Sequence, residues 1–148
     1  MFNLGWESTE AQAKFQASSD FESMMSNMKL VTEGKPTVYF VQFVPYAPKE
    51  VIDSPLVQVL TVTGPKSSED ELRSAVESYK GVKGCNGVGS GLSLSEVDGK
   101  GKVFVAVIGW NSLEDSEEGR AAKVVSVDGQ TELHHVNFRF PIKGFRGL

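Results

Sequence analysis

The chain has 148 residues, 40% of them hydrophobic and 23% charged, which is typical of a globular protein with room for one ordinary domain or two small half-domains. No apolar run approaches the roughly 20 residues that a membrane span needs, so the composition argues against membrane insertion. A net charge of −4 with scattered basic residues argues against a nucleic-acid partner, because such binders cluster Lys and Arg on one face.

The N-terminus lacks the basic start, the long apolar stretch and the small-residue cleavage site of a signal peptide. This predicts a cytoplasmic protein. The single cysteine, Cys85, has no partner for an internal disulfide and no acidic or histidine neighbour to activate it, so we interpret it as a buried or half-buried thiol rather than a nucleophile.

A short repeat gives the first indication of architecture. The motif Gly-Trp-x-Ser occurs at residues 5–8 and again at residues 109–112, each time where an apolar run ends and a helix should begin. The strand that follows each helix is also similar, at residues 39–43 and 134–138. The repeated unit is therefore strand, Gly-Trp-x-Ser, helix and strand.

The first half of the chain supplies one partial unit. We expect a strand at residues 1–6, a helix opening at Thr9, a second helical segment from Ser19 to Lys29, and a strand from Thr37 to Tyr46. Three prolines follow within about ten residues, a pattern typical of a linker. These patterns predict a β-α-β half-repeat at residues 1–48 and a linker at residues 49–55.

The remainder, residues 56–148, predicts a complete unit. Ser68 and Glu71 form a capping box for a helix, and the glycine-rich stretch 84–91 indicates a flexible connection, since it precedes no helix that could bind phosphate. The other expected elements are strands at Leu56–Thr63, Leu92–Val97 and Lys102–Trp110, a helix from about Ser112, and a strand at Thr131–Phe140. The order β-α-β-β-α-β is ferredoxin-like, and the fold class is α+β.

Several of these strands carry apolar residues on both faces, for example Val103 and Val105 on one side and Phe104 and Ala106 on the other. Helices cover only one face of such a sheet, so we expect the second face to meet another sheet in a closed barrel. The half-repeat also lacks a central strand. We therefore predict a homodimer, or a rearranged sheet in which strands of the first unit pair with the second.

With this element order and the run Val105–Glu114, the chain resembles the dimeric α+β barrel superfamily, and within it the antibiotic biosynthesis monooxygenase (ABM) domain, especially duplicated versions encoded in fungal genomes. The resemblance covers essentially the whole chain. It implies a pocket between helices and sheet and cofactor-free oxygenation of polyketide-type phenols in secondary metabolism. Other members of the family degrade haem.

The chain departs from that family at the position of a possible haem ligand. Many relatives carry a histidine one turn into the helix after Gly-Trp-x-Ser, but the aligned residues here are Gln12 and Ser116. The two histidines of the chain are adjacent on a strand and diverge, and the sequence has no Cys-x-x-Cys. We therefore expect no haem, metal or other cofactor.

The last strand holds the candidate catalytic residues. His134 alternates with an apolar set, whereas His135 shares its face with Asn137 and Arg139, which either line a pocket or occupy a solvated edge. In a pocket, His135 would be the general base for a phenol or enol, since its unperturbed pKa is about 6.5. Asn137 and Arg139 would stabilise the enolate.

The substrate would be a small hydrophobic or aromatic molecule. Candidate aromatic walls for its pocket are Trp6, Tyr39, Phe40 and Trp110, although a tryptophan at a strand end is also a common core residue. Two classes of function stay open at this point. One is a cofactor-independent oxygenase, cyclase or isomerase, and the other is a non-catalytic barrel that binds a hydrophobic ligand or assembles with itself.

Overall fold

A computed structural model describes residues 6, 8–31, 33, 37–45, 48–122 and 128–138. The chain divides into two compact units, Met1–Val38 and Tyr39–Leu148. Within the described residues, no helix has both the length and the apolar character needed to cross a membrane.

The first unit contains two helices, α1 (Thr9–Gln16) and α2 (Ser19–Val31). Both helix predictions are confirmed, and α1 begins at Thr9 as expected. Ser8 is its N-cap, because the Ser8 hydroxyl accepts a hydrogen bond from the Ala11 N–H. Phe15 contacts Trp6 with ring centroids 4.9 Å apart and also meets Phe21 edge-on. The strand predicted at residues 1–6 lies outside the described residues except for Trp6, which is not in a strand.

The second unit is a four-stranded sheet with helices. Its strands are β1 (Leu56–Thr63), β2 (Cys85–Leu92), β3 (Val103–Trp110) and β4 (Gln130–Val136), and its helices are α3 (Lys49–Ile52), α4 (Glu69–Glu77), a short 3₁₀ helix (Ser78–Gly81) and α5 (Leu113–Ala122). The strand order is β2-β3-β1-β4, and every neighbouring pair is antiparallel. The α+β class is confirmed, and residues 56–136 are compatible with a ferredoxin-like fold.

The helix-facing side of the sheet contains the larger core cluster. Leu72, Val76 and Tyr79 share one helical face, as expected, and pack on Phe104 and Ile108 of β3. The capping box that begins α4 is also confirmed, because Ser68 and Glu71 bond to each other's backbone. All eight residues of β3 are buried, which confirms that both faces of this strand are covered.

The opposite side of the sheet is covered by the same chain. Val57 and Val59 of β1, together with Val105 and Val107 of β3, pack against Val51 of α3. Tyr39, Val41 and Phe43 complete this cover. The sequence predicts a second sheet on this face, but among the described residues the face is covered by residues 39–44, which form no strand, and by α3. The helix α3 lies within residues 49–55, which the sequence predicts to be a linker.

The strand predicted from Thr37 to Tyr46 is wrong for the described residues 37–45. The segment makes only isolated antiparallel bridges, Val41 with Ser93 and Val44 with Ser90, at the edge of β2. A regular strand would need every second N–H in a ladder, and Pro45 has none to give. Both bridges lie within the unit Tyr39–Leu148, so they join this segment to the sheet of its own unit.

The prediction of a flexible connection at residues 84–91 is wrong, because this stretch forms most of β2. The strand predicted at Leu92–Val97 does not form. Gly87, Gly89 and Gly91 alternate along one face, toward the covering segment. A Cβ at Gly89 would lie 3.1 Å from the Pro48 ring, and one at Gly91 would collide with the carbonyl oxygen of Gln42. Glycine is used here for close approach of a second backbone.

Candidate functional site

His135 lies on β4 directly opposite Gln58 of β1, on the side of the sheet that faces the helices. His134 pairs with Val59 and faces the other side. The sequence prediction that the two histidines diverge is therefore confirmed by the register. The His135 ring is partly buried under α5, whereas the His134 side chain is 53% exposed.

A buried chain of hydrogen bonds ends at His135. The indole Nε1–H of Trp110 donates to Gln58 Oε1 over 3.0 Å, and the Ser116 hydroxyl donates to the same oxygen over 2.9 Å. Ser116 Oγ also lies 3.0 Å from His135 Nε2. Since Trp110, Ser116 and Gln58 are at most 2% exposed, these bonds form in a medium where water does not compete.

The second Gly-Trp-x-Ser motif positions this chain. Gly109 leaves room for Ser54, Trp110 ends β3 in the core, and the Ser112 hydroxyl caps α5 by accepting from the Asp115 N–H over 3.1 Å. Because α5 starts at a fixed residue, Ser116 lies one turn later, with its N–H bonded to the Ser112 carbonyl, and faces the sheet. Gly119 lets α5 approach, since a Cβ there would collide with the Trp110 ring.

Burial and charge act together on the imidazole. Burial lowers the pKa of His135 from its ordinary value of 6.5, and the nearby Arg120 guanidinium lowers it further. Glu117 acts in the opposite direction and is the smallest of the three causes. His135 is therefore predominantly neutral at neutral pH, which is the state a general base requires.

Two of the other predicted site residues, Trp110 and Tyr39, lie on opposite faces of the sheet. Trp110 is fully buried, and its indole N–H is bonded to Gln58, so its ring is not the exposed wall of a pocket. Tyr39 packs on the opposite side of the sheet, where burial raises its pKa, and the Phe40 carbonyl accepts from Leu94. Trp6 belongs to the first unit. Asn137 is exposed just after β4, and Arg139 lies outside the described residues.

The sequence reading missed three residues, Gln58, Ser116 and Arg120. Gln58 had a usable signal, because it is an amide within the apolar run of β1. Ser116 had been singled out only as the residue that replaces a histidine of the resembled family. Arg120 carries no local signal, since a cation in the last turn of a helix is ordinary.

A cleft lies at the opposite edge of the sheet from His135. This cleft of about 360 Å³ is lined by residues that include Gln42, Glu69, Arg73 and Lys102. Arg73 is paired with Glu69. The strand order places the β2 edge and the β4 edge at opposite ends of the sheet, so the cleft is separate from His135 and includes none of the predicted site residues.

Across the residues that the structure describes, no group of three or more His, Cys, Asp or Glu side chains could hold a metal ion. His134 approaches Glu132 at 3.7 Å, but a single carboxylate and a single imidazole do not make a metal site.

Comparison of the chain with models of protein families and with curated proteins found no match to either. The resemblance to ABM domains therefore depends on the motif and the element order.

Proposed function

We propose that this protein is a small-molecule enzyme, similar to cofactor-independent ABM-type oxygenases, in which His135 is the general base. The observation that carries the proposal is the His135 imidazole, which is held at one nitrogen by the buried Ser116 hydroxyl and has a lowered pKa. A base fixed by a third, buried group is the arrangement that proton-transfer enzymes use.

The proposed substrate is a small aromatic or polyketide-like molecule with an acidic O–H. His135 takes the phenol or enol proton, and the resulting anion is electron-rich at carbon. Such an anion is rearranged by cyclisation or isomerisation, or reacts with dioxygen as the oxidant without flavin or metal. Arg120, whose charge acts on His135, would stabilise the developing oxyanion together with the Asn137 and Arg139 expected from the sequence.

The test uses the two adjacent histidines as a matched pair. His135→Ala and His134→Ala are incubated with a panel of phenols and enolisable polyketide-like compounds, and turnover is followed by oxygen consumption and by product mass. We expect turnover to be lost in His135→Ala and retained in His134→Ala. Equal effects of the two substitutions, or ligand binding without turnover in the wild type, would favour the non-catalytic barrel instead.

A homodimer in the cytoplasm is part of the same proposal. Among the described residues β4 pairs only with β1, and it ends the strand order, so its outer edge is the side on which a second copy can pair. Light scattering tests the assembly, with twice the mass of the chain as the expected result. A monomer at working concentrations would contradict this part alone.

A further inference from the structure

We infer that the buried chain Trp110–Gln58–Ser116 fixes the proton of the neutral His135 ring on Nε2 and leaves Nδ1 as its basic nitrogen. Gln58 and Ser116 are thereby positioning residues. The use of Nδ1 in catalysis rests on the proposed function, whereas the position of the proton follows from the hydrogen bonds alone.

The first step fixes the orientation of the Gln58 amide. An indole N–H donates and never accepts, so the atom of Gln58 that lies 3.0 Å from Trp110 Nε1 has to be the carbonyl oxygen. The oxygen and nitrogen of a side-chain amide are assigned from their hydrogen-bond partners, and the indole donor assigns them here. Trp110 is fully buried, and a reversed amide would leave two buried N–H groups facing each other.

The second step fixes the direction of the Ser116 hydroxyl. Gln58 Oε1 has no proton, so in the 2.9 Å bond between them Ser116 is the donor. A hydroxyl has one proton, and once it is used Ser116 Oγ can only accept from His135 at 3.0 Å. The proton of the neutral imidazole is therefore on Nε2.

The third step concerns the free nitrogen. Among the described residues, Nε2 has a hydrogen bond and Nδ1 has none. A proton taken up at Nδ1 gives an imidazolium whose Nε2–H still donates to Ser116, so the ring changes charge without any hydroxyl or amide turning. The opposite tautomer would place the lone pair toward Ser116, inside the protein, where no substrate reaches it.

The experiment measures the tautomer directly, in the full chain and without any substrate. Long-range proton–nitrogen correlation spectra of uniformly ¹⁵N-labelled protein, recorded at a pH where both imidazoles are neutral, distinguish a protonated ring nitrogen from a bare one. We expect the two nitrogens of His135 to be fully separated, with Nε2 protonated. His134, 53% exposed on the same strand, is the internal reference and should show averaging between tautomers.

Two substitutions at one position then test the cause. Gln58→Leu removes the acceptor, which frees the Ser116 hydroxyl to donate to Nε2, and the Nδ1–H form of His135 should increase at least several-fold. Gln58→Glu keeps an acceptor oxygen toward both Trp110 and Ser116 and should restore the wild-type pattern. A wild-type His135 with its proton mainly on Nδ1, or a folded Gln58→Leu variant with an unchanged tautomer, would overturn the inference.

The wild-type spectrum alone decides the inference if Gln58→Leu does not fold. The two experiments also distinguish failure of this inference from failure of the proposed function. A loss of turnover in His135→Ala with an Nδ1–H tautomer in the wild type would retain the general base and reject its positioning. An Nε2–H tautomer in a protein with no activity would do the reverse.

Discussion

Both faces of the sheet carry a buried core cluster, but the two clusters are built from different residues. The helix-facing side encloses a polar chain from Trp110 to His135 within an apolar cluster, whereas the opposite side is covered by valines, a short helix and residues 39–44. Adjacent residues of β4 sample both, since His135 faces the first and His134 the second. The comparison shows that burial alone does not distinguish the two faces, whereas the hydrogen-bonded polar chain from Trp110 to His135 does.

The largest expected effect comes from the start of the polar chain. Trp110→Ala removes a fully buried ring that meets Tyr79 edge-on at 5.9 Å, and it also removes one of the two hydrogen bonds donated to Gln58 Oε1. We expect a loss of about 3 to 5 kcal/mol in the free energy of unfolding, measured by urea denaturation. Trp6→Ala, at the equivalent motif position, is the control, and because Trp6 is only partly buried its loss should be clearly smaller.

The opposite face is best tested where its cover approaches most closely. In Gly91→Ala the added methyl group would collide with the Gln42 carbonyl, so we expect a destabilisation of about 1 to 3 kcal/mol. Gly81→Ala is the matched control, because a methyl group there meets open space. It should change stability by less than about 1 kcal/mol. Similar thermal midpoints for the two variants would contradict the close approach of Gln42 to β2.

We expect replacement of His135 to lower the stability of the protein more than replacement of His134, although the apolar residues that alternate with His134 favour the reverse. The apolar neighbours of His134 in sequence suggested a core residue, yet its side chain is 53% exposed, so His134→Ala should stay within about 0.5 kcal/mol of the wild type. His135→Ala removes the bond to Ser116 and should cost about 0.5 to 1.5 kcal/mol. Denaturation curves at pH 8 make the comparison, and a larger loss for His134→Ala would reject it.

Because the pKa of His135 is lowered in the folded protein, the free energy of unfolding should decrease as the pH falls below about 6.5. In the unfolded chain the imidazole titrates near 6.5, and in the folded protein it titrates lower, so between these values the unfolded state holds more protons. The contribution of His135 is therefore fully present above pH 6.5 and is lost as the pH falls through the folded pKa. In His135→Asn this component should disappear from the pH dependence of unfolding, and an unchanged dependence would show that burial does not affect the ring.

The smallest expected effect separates the two charges on α5. Arg120→Gln should raise the pKa of His135 and Glu117→Gln should lower it, because the first charge disfavours the imidazolium and the second favours it. Both side chains are exposed, so solvent screening keeps the shifts small. Titration of the His135 ring by NMR gives both values, and shifts of the same sign would show that charge is not their cause.

The elements of the fold that could be predicted were those written in local patterns. The capping box of α4 and the doubly apolar β3 are signals that depend on a few neighbouring residues. The errors occurred where a distant segment decides the outcome. The sequence predicts a loop where β2 forms, because its alternating glycines are explained by the close approach of the distant Gln42 backbone. The strand predicted at Thr37–Tyr46 does not form among the described residues 37–45, because that segment packs over the sheet and makes only isolated bridges to it.

The same distinction applies to the candidate site. His135 was found from its residue type and from strand alternation, both of which are local. Gln58 and Ser116 were not found, because a glutamine and a serine become a polar chain only when a fold places them 2.9 Å apart, and they are 58 positions apart in the sequence. Two of the aromatic residues proposed as pocket walls, Trp110 and Tyr39, lie on opposite faces of the sheet, since aromatic character alone does not tell which face a ring will join.

The separation of these partners has a consequence for the order of folding. Trp110 and Gln58 are 52 residues apart, and the four members of the chain come from β3, β1, α5 and β4, so none of the bonds between them forms within a local segment. Loop closure has to precede every one of them, and contacts of this kind form late and slowly. The network is completed only when β4, the last strand among the described residues, docks beside β1. A chain that has collapsed but not yet added this strand would already contain helices and a core, yet its histidine would still exchange its proton freely between both ring nitrogens.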